Sequence, residues 1–160
     1  MKTFYLSIGS NSNAIENINA ALLLLAESFG DICVSNTYKN AAVGDGVSDY
    51  HNLSAGFDSA LKHSELVAQL KVIENKLSRD RSLRRTKGVT IDLDIVLCVA
   101  AHGEQVYYYD KDIVHYSFIL APLAEIAGAV YDPALNKSYH ALWQEFDKHA
   151  HPLYLVDINH

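Results

Sequence analysis

The periodicity of this sequence predicts an α+β fold, a single domain over residues 1-160 with a ferredoxin-like core and extra C-terminal elements. Three observations lead there. Short runs of apolar/polar alternation give way to apolar residues at helical spacing and back again, in the order strand, helix, strand, strand, helix, strand, strand, helix, helix. Two strand–helix–strand crossovers therefore surround a central hairpin. No repeat, low-complexity stretch or linker interrupts that order.

Thr3 to Ile8 alternates as a first strand, and Gly9-Ser10-Asn11 is its turn. Asn13, with Glu16 three residues on, reads as a capping box for a helix that buries Ile15, Ile18, Leu22 and Leu25 and stops at Gly30. Ile32 to Tyr38 is expected to form one strand, followed by a loop from about Lys39 to Ser48. Tyr50 to Leu61 is the third strand, in which Gly56 suggests a bulge. Ser64 is expected to cap a second helix with Leu66, Leu70, Ile73 and Leu77 buried. Ser78 to Gly88 is a long basic loop of the kind that closes over a site. Thr90 to Leu97 and Val106 to Tyr109 follow as strands. Pro122 suits the first turn of a helix ending near Ala127. Tyr139, Leu142, Trp143 and Phe146 mark a last helix, and Leu153 to Ile158 a last strand.

Composition narrows the function classes. The net charge of −6 argues against a general nucleic-acid binder, whose surface would be basic. The positive charge is instead concentrated: Lys76, Arg79, Arg81, Arg84, Arg85 and Lys87 supply six of the 13 basic residues. Such a cluster fits one local polyanion better than a long backbone. The longest unbroken apolar run, Ala20 to Ala26, is far short of the ~20 residues that span a bilayer, so no membrane partner is expected. Nor is a leader segment. Cys33 and Cys98 lie in apolar runs without paired spacing, which predicts buried thiols in a reducing cytoplasm.

The most informative run is Thr90-Ile-Asp-Leu-Asp-Ile-Val-Leu97. On a strand, Ile91, Leu93 and Ile95 face the core while Asp92 and Asp94 share the other face, roughly 6.6 Å apart at the backbone. Carboxylates so placed suit hard Mg²⁺, and the neighbouring arginines suit the phosphates of a nucleotide on that metal. A solvated edge strand beside a solvated basic turn is the plainer alternative.

With these motifs in order, the sequence resembles the 6-hydroxymethyl-7,8-dihydropterin pyrophosphokinase family. The resemblance is carried by Ile8-Gly9-Ser10-Asn11, Asp49-Tyr50-His51-Asn52, Ile73-Glu74 followed by Arg79, Ile91-Asp92-Leu93-Asp94-Ile95, His115-Tyr116, and Phe118 leading into Ala121-Pro122-Leu123-Ala124-Glu125-Ile126-Ala127. It implies a three-layer α/β/α fold with a mostly antiparallel sheet, two Mg²⁺ ions, and pyrophosphoryl transfer from ATP to a reduced pterin with release of AMP, in folate biosynthesis. By resemblance Asp92 and Asp94 hold the metals, and Arg79 and Arg81 grip phosphate oxygens. Glu74, Arg85, Lys87, Ile95, His115 and Tyr116 are implied nucleotide contacts. Tyr50 and Phe118 become the faces of an aromatic sandwich for the pterin, Asn52 reads its amide edge, and Val43 lines the same slot. A cytoplasmic monomer acting on small molecules is expected. Read alone, Glu74 fits a structural role equally well, His115 fits a structural role better, and Phe118 fits core packing better.

The chain also departs from the family. Thr86 and Val89 stand where a tryptophan and an arginine are usual, Ala41-Ala42 replaces a proline pair, and Ser117 alone separates Tyr116 from Phe118 where a longer segment with an arginine is usual. Each missing charge-assisted contact is worth on the order of 1.5–3 kcal/mol. Two alternatives therefore accompany the enzyme reading: a relative that binds pterin or nucleotide without turnover, and a paralogue acting on a different pterin.

Overall fold

The computed structural model describes residues 1–40, 49–79, 90–102, 105–149 and 152–156, the side chain of Arg79 excepted. Strand β1 (Lys2–Ser10) is its centre. Phe4, Leu6 and Ile8, all fully buried, take one face, and Tyr5, Ser7 and Gly9 take the other. β1 pairs antiparallel with β4 (Tyr50–Ser59) on one side and β5 (Asp92–Ala100) on the other. Helix α1 (Ala14–Phe29) carries the chain across to β2 (Cys33–Val34) and β3 (Thr37–Asn40), and α2 (His63–Arg79) carries it from β4 to β5. With β6 (Val106–Tyr109) and β7 (Tyr154–Val156) at the edges, the sheet runs β6-β5-β1-β4-β3-β7, and β2 pairs with β4. Each helical crossover skips one strand, which is the expected ferredoxin-like core.

Two apolar layers hold the helices on. Ile18, Ala21, Leu22 and Leu25 of α1 and Leu66, Leu70, Ile73 and Leu77 of α2 pack on the Phe4 face. Leu120, Leu123 and Ala127 of α3 (Ser117–Ala127), with Tyr139 of α4 (Tyr139–Glu145), pack on the other. Each fully buried Leu or Ile contributes about 1.5–3 kcal/mol, so both layers matter to stability. The three-layer α/β/α arrangement follows.

Several local expectations are corrected. Asn13 takes a left-handed backbone and makes no side-chain cap, and α1 is rotated so that Asn17 rather than Ile15 is buried. The expected second strand breaks at Ser35-Asn36, where Glu125 of α3 accepts from both the backbone and side-chain N–H of Asn36 at 3.0 Å. Cys33, on the short β2, is exposed, and Cys98 is buried. Gly56 sits in an unbroken β1–β4 register; the Tyr5 ring lies 2.8 Å from where a Cβ would be, so the site demands close approach rather than a bulge. Ser64 lies inside α2; the Lys62 N–H is capped instead by the Glu65 carboxylate at 2.9 Å. Pro122 is within α3, which begins five residues earlier. Of the last strand, only Tyr154–Val156 is seen, paired with β3, and residues 157–160 lie outside the described set.

The bulge that does exist is in β5. Tyr5 faces Leu97 but Leu6 faces Ile95, so Val96 is the extra residue. Beyond it, Leu97 and Val99 turn toward α3. Before it, the same face of β5 carries Asp92 and Asp94.

Candidate active site

Register alone brings the principal side chains together. Gly9 is flanked by Asp92 on one neighbouring strand and Asn52 on the other, and Ser7 is flanked by Asp94 and Ser54. All share the β1 face that carries no large side chain at this end. Asp92 and Asn52 are two strand spacings apart, about 9–10 Å, with only the bare backbone of Gly9 between them. A cleft of about 990 Å³ opens over this floor, with the outer side of α2 and the start of α3 as walls.

At one end stands an acidic group. Burial pushes the Asp94 carboxyl above its ordinary range, and the charges of Asp92, Glu74 and Asp110 push it further. Asp92 is raised in the same way by burial and then by Glu74, while Lys71 opposes the shift in both. Glu74 accepts the Leu93 N–H at 2.8 Å with one oxygen and faces Lys71 Nζ at 3.6 Å with the other. It thus fastens the Asp-x-Asp stretch to α2. Oxygen donors that repel one another are relieved by a hard cation, so this set fits Mg²⁺. Among the described residues there is no group of three or more His, Cys, Asp or Glu that could hold a metal ion.

At the other end lie Tyr50, the first residue of β4, and Phe118, in the first turn of α3. Asn52 is buried between the strands, its Nδ2 donating to Asn40 Oδ1 at 2.8 Å. Its Oδ1 would be 2.8 Å from a Cβ on Gly9, a space that only glycine leaves.

The structure therefore brings Tyr50, Asn52, Glu74, Asp92, Asp94, Ile95 and Phe118 to one cleft. His115 and Tyr116 are exposed and do not line it; Tyr116 stacks obliquely on Phe118 at 5.2 Å between ring centres. The loop expected from Ser78 begins later, because Ser78 and Arg79 are still the last residues of α2. Val43, Arg81, Arg85 and Lys87, the rest of the expected lid and the side chain of Arg79 lie outside the described residues. Sequence reasoning missed Asn40, Lys71, Asp110 and Tyr108, all on the cleft wall. Asn40 could have been found by extending the second strand two residues and pairing it with β4.

Comparison with known proteins gives the same reading. The 7,8-dihydro-6-hydroxymethylpterin-pyrophosphokinase (HPPK) family matches residues 5–128, which runs from β1 to the end of α3 and includes every residue named above in the cleft. The chain belongs to the HPPK family. A 2-amino-4-hydroxy-6-hydroxymethyldihydropteridine pyrophosphokinase of Haemophilus influenzae is 33% identical over 143 residues, 83% of this chain and 86% of that protein. One of Synechocystis is 30% identical over 144 residues, 87% of this chain and 73% of that protein. As a member of the HPPK family the chain is a pyrophosphokinase, a transferase of folate biosynthesis that takes ATP as co-substrate and works with Mg²⁺. Among the described residues no helix is long and apolar enough to cross a membrane.

Proposed function

We propose that the cleft over Gly9 is where this enzyme transfers the pyrophosphoryl group of ATP to 6-hydroxymethyl-7,8-dihydropterin. The observation that supports this reading best is the row Asp92, Gly9, Asn52: a cation-seeking end and an amide-reading end on one floor, with no side chain between them. Asp92 and Asp94 would hold two Mg²⁺ ions. Bound there, Mg²⁺ would neutralise the triphosphate and favour in-line displacement. Glu74 keeps both carboxylates in place by clasping the strand between them.

At the opposite end, Tyr50 and Phe118 enclose the pterin ring, Val43 lines the same slot, and Asn52 pairs with the ring's amide edge. That pose turns the hydroxymethyl group across Gly9 toward the triphosphate. Its oxygen bonds to the β-phosphorus, the bridge between the α- and β-phosphates breaks, AMP leaves, and the hydroxyl proton passes to solvent. Arg79 and Arg81 grip phosphate oxygens with forked donors, and Arg85, Lys87 and Ile95, with His115 and Tyr116 from beside the cleft rather than its wall, complete the nucleotide contacts. These last assignments rest on motif order within the family. We further take the chain to act as a one-domain cytoplasmic monomer.

The test is AMP release. With ATP, Mg²⁺ and the hydroxymethyl dihydropterin together, AMP should form in step with pterin pyrophosphate; omission of any one should stop it. AMP formation at the same rate without pterin would refute the reading.

A further inference from the structure

We propose that Asn40 is the positioning residue of the pterin slot, setting through its side-chain oxygen the direction in which Asn52 presents its amide. The inference rests on the assignment of Asn52 to the pterin edge. Asn40 ends β3, and the β3–β4 register places Asn40 opposite Tyr50 and Tyr38 opposite Asn52. Asn40 and Asn52 are therefore diagonal neighbours on one sheet face, and both line the cleft.

An asparagine amide is nearly symmetric in shape but not in hydrogen bonding. Its terminal torsion has two broad wells, and turning it over exchanges a donor for an acceptor. In this chain both ends are held. Asn52 Nδ2 donates to Asn40 Oδ1 at 2.8 Å, and Asn52 Oδ1 rests against the bare Gly9 backbone. Turned over alone, Asn52 would set oxygen against oxygen at Asn40. The reversed order therefore requires both amides to turn together and presses the bulkier amino group of Asn52 on Gly9, so the Asn40–Asn52 pair with Gly9 favours one well. The second N–H of Asn52 and its carbonyl oxygen then stand side by side in a fixed order. A pterin offers a ring N–H next to a carbonyl along its amide edge, and only one order of donor and acceptor matches it. Free to turn, Asn52 would present the mismatched order for part of the time, and binding would weaken without any lost contact between Asn40 and the ligand.

The experiment titrates the full chain with 6-hydroxymethylpterin, followed by its fluorescence, in the presence of Mg²⁺ and a non-hydrolysable ATP analogue. Asn40→Leu should weaken pterin binding about ten-fold, the size of one net hydrogen bond, and leave the affinity for the ATP analogue unchanged. Asn40→Asp keeps the acceptor and should bind within about two-fold of wild type. In an Asn52→Ala background, Asn40→Leu should cost less than about two-fold, because the group it acts through is gone. Unchanged binding of the ATP analogue establishes that each variant is folded, and Asn40→Ala repeats the comparison with a smaller side chain. The proposal is overturned if Asn40→Leu and Asn40→Ala bind pterin like wild type, if Asn40→Asp is as weak as Asn40→Leu, or if the ten-fold loss persists without Asn52. A loss with Asn52→Ala but none with Asn40→Leu removes this inference alone. Absence of pterin binding by the wild type removes the slot itself and the inference with it.

Discussion

The two faces of β1 differ as much as any two parts of the molecule. One carries Phe4, Leu6 and Ile8 against two helices, with no solvent exposure. The other carries Tyr5, Ser7 and Gly9; only the Tyr5 end is covered by α3 and α4, and the Ser7–Gly9 end is the floor of the cleft. Alternation along one nine-residue strand thus divides labour, with stability on one side and chemistry on the other. The acidic end also works against stability. Burial, and after it the neighbouring carboxylates, raise the pKa of Asp92 and Asp94, so their charged forms are disfavoured and a cation bound there would offset that cost.

The largest expected break of this contrast is on the Phe4 face. Phe4→Ala or Leu6→Ala should cost about 2–5 kcal/mol, read from denaturant unfolding, with little change in turnover per folded molecule. On the other face, Asn52→Ala should reduce pterin affinity roughly ten- to a hundred-fold while the melting temperature barely moves, because a buried ring edge loses its partner. Gly9→Ala should come next. Its methyl would stand 2.8 Å from Asn52 Oδ1, so the amide must give way, and a pterin loss of about ten-fold is expected with unchanged nucleotide binding.

The smallest effect concerns pH. The folded state raises both aspartate pKa values, so it holds protons more tightly than the unfolded chain. Their contribution to stability is full below the ordinary carboxylate range and is lost as pH rises through the raised values. Ligand-free Asp92→Asn should therefore melt higher than wild type at neutral pH, and the gap should close as the pH falls toward 4. A gap that widens on acidification would mean that the carboxylate is stabilised by the fold, contrary to the burial and neighbouring charge described above.

Much of this was legible in the sequence, for identifiable reasons. Asp92 and Asp94 stood out because strict alternation holds up to Ile95, and the helix stripes at Leu66, Leu70, Ile73 and Leu77 came from regular spacing. What failed depended on partners distant in sequence. The break at Ser35-Asn36 is fixed by Glu125, 89 positions from Asn36. The Val96 bulge is invisible in an apolar run that satisfies either face, and Gly56 needs the Tyr5 ring to explain it. Asn40 was hidden because its role exists only once β3 and β4 are in register.

Asp94→Asn, assayed for turnover and for melting on the same preparation without ligands, tests the division between the faces most directly. The account predicts that AMP release from ATP in the presence of Mg²⁺ and pterin falls by on the order of a hundred-fold or more, while the ligand-free melting temperature at pH 7 stays level or rises. Wild-type turnover, or a loss of activity that accompanies a lowered melting temperature, would contradict it.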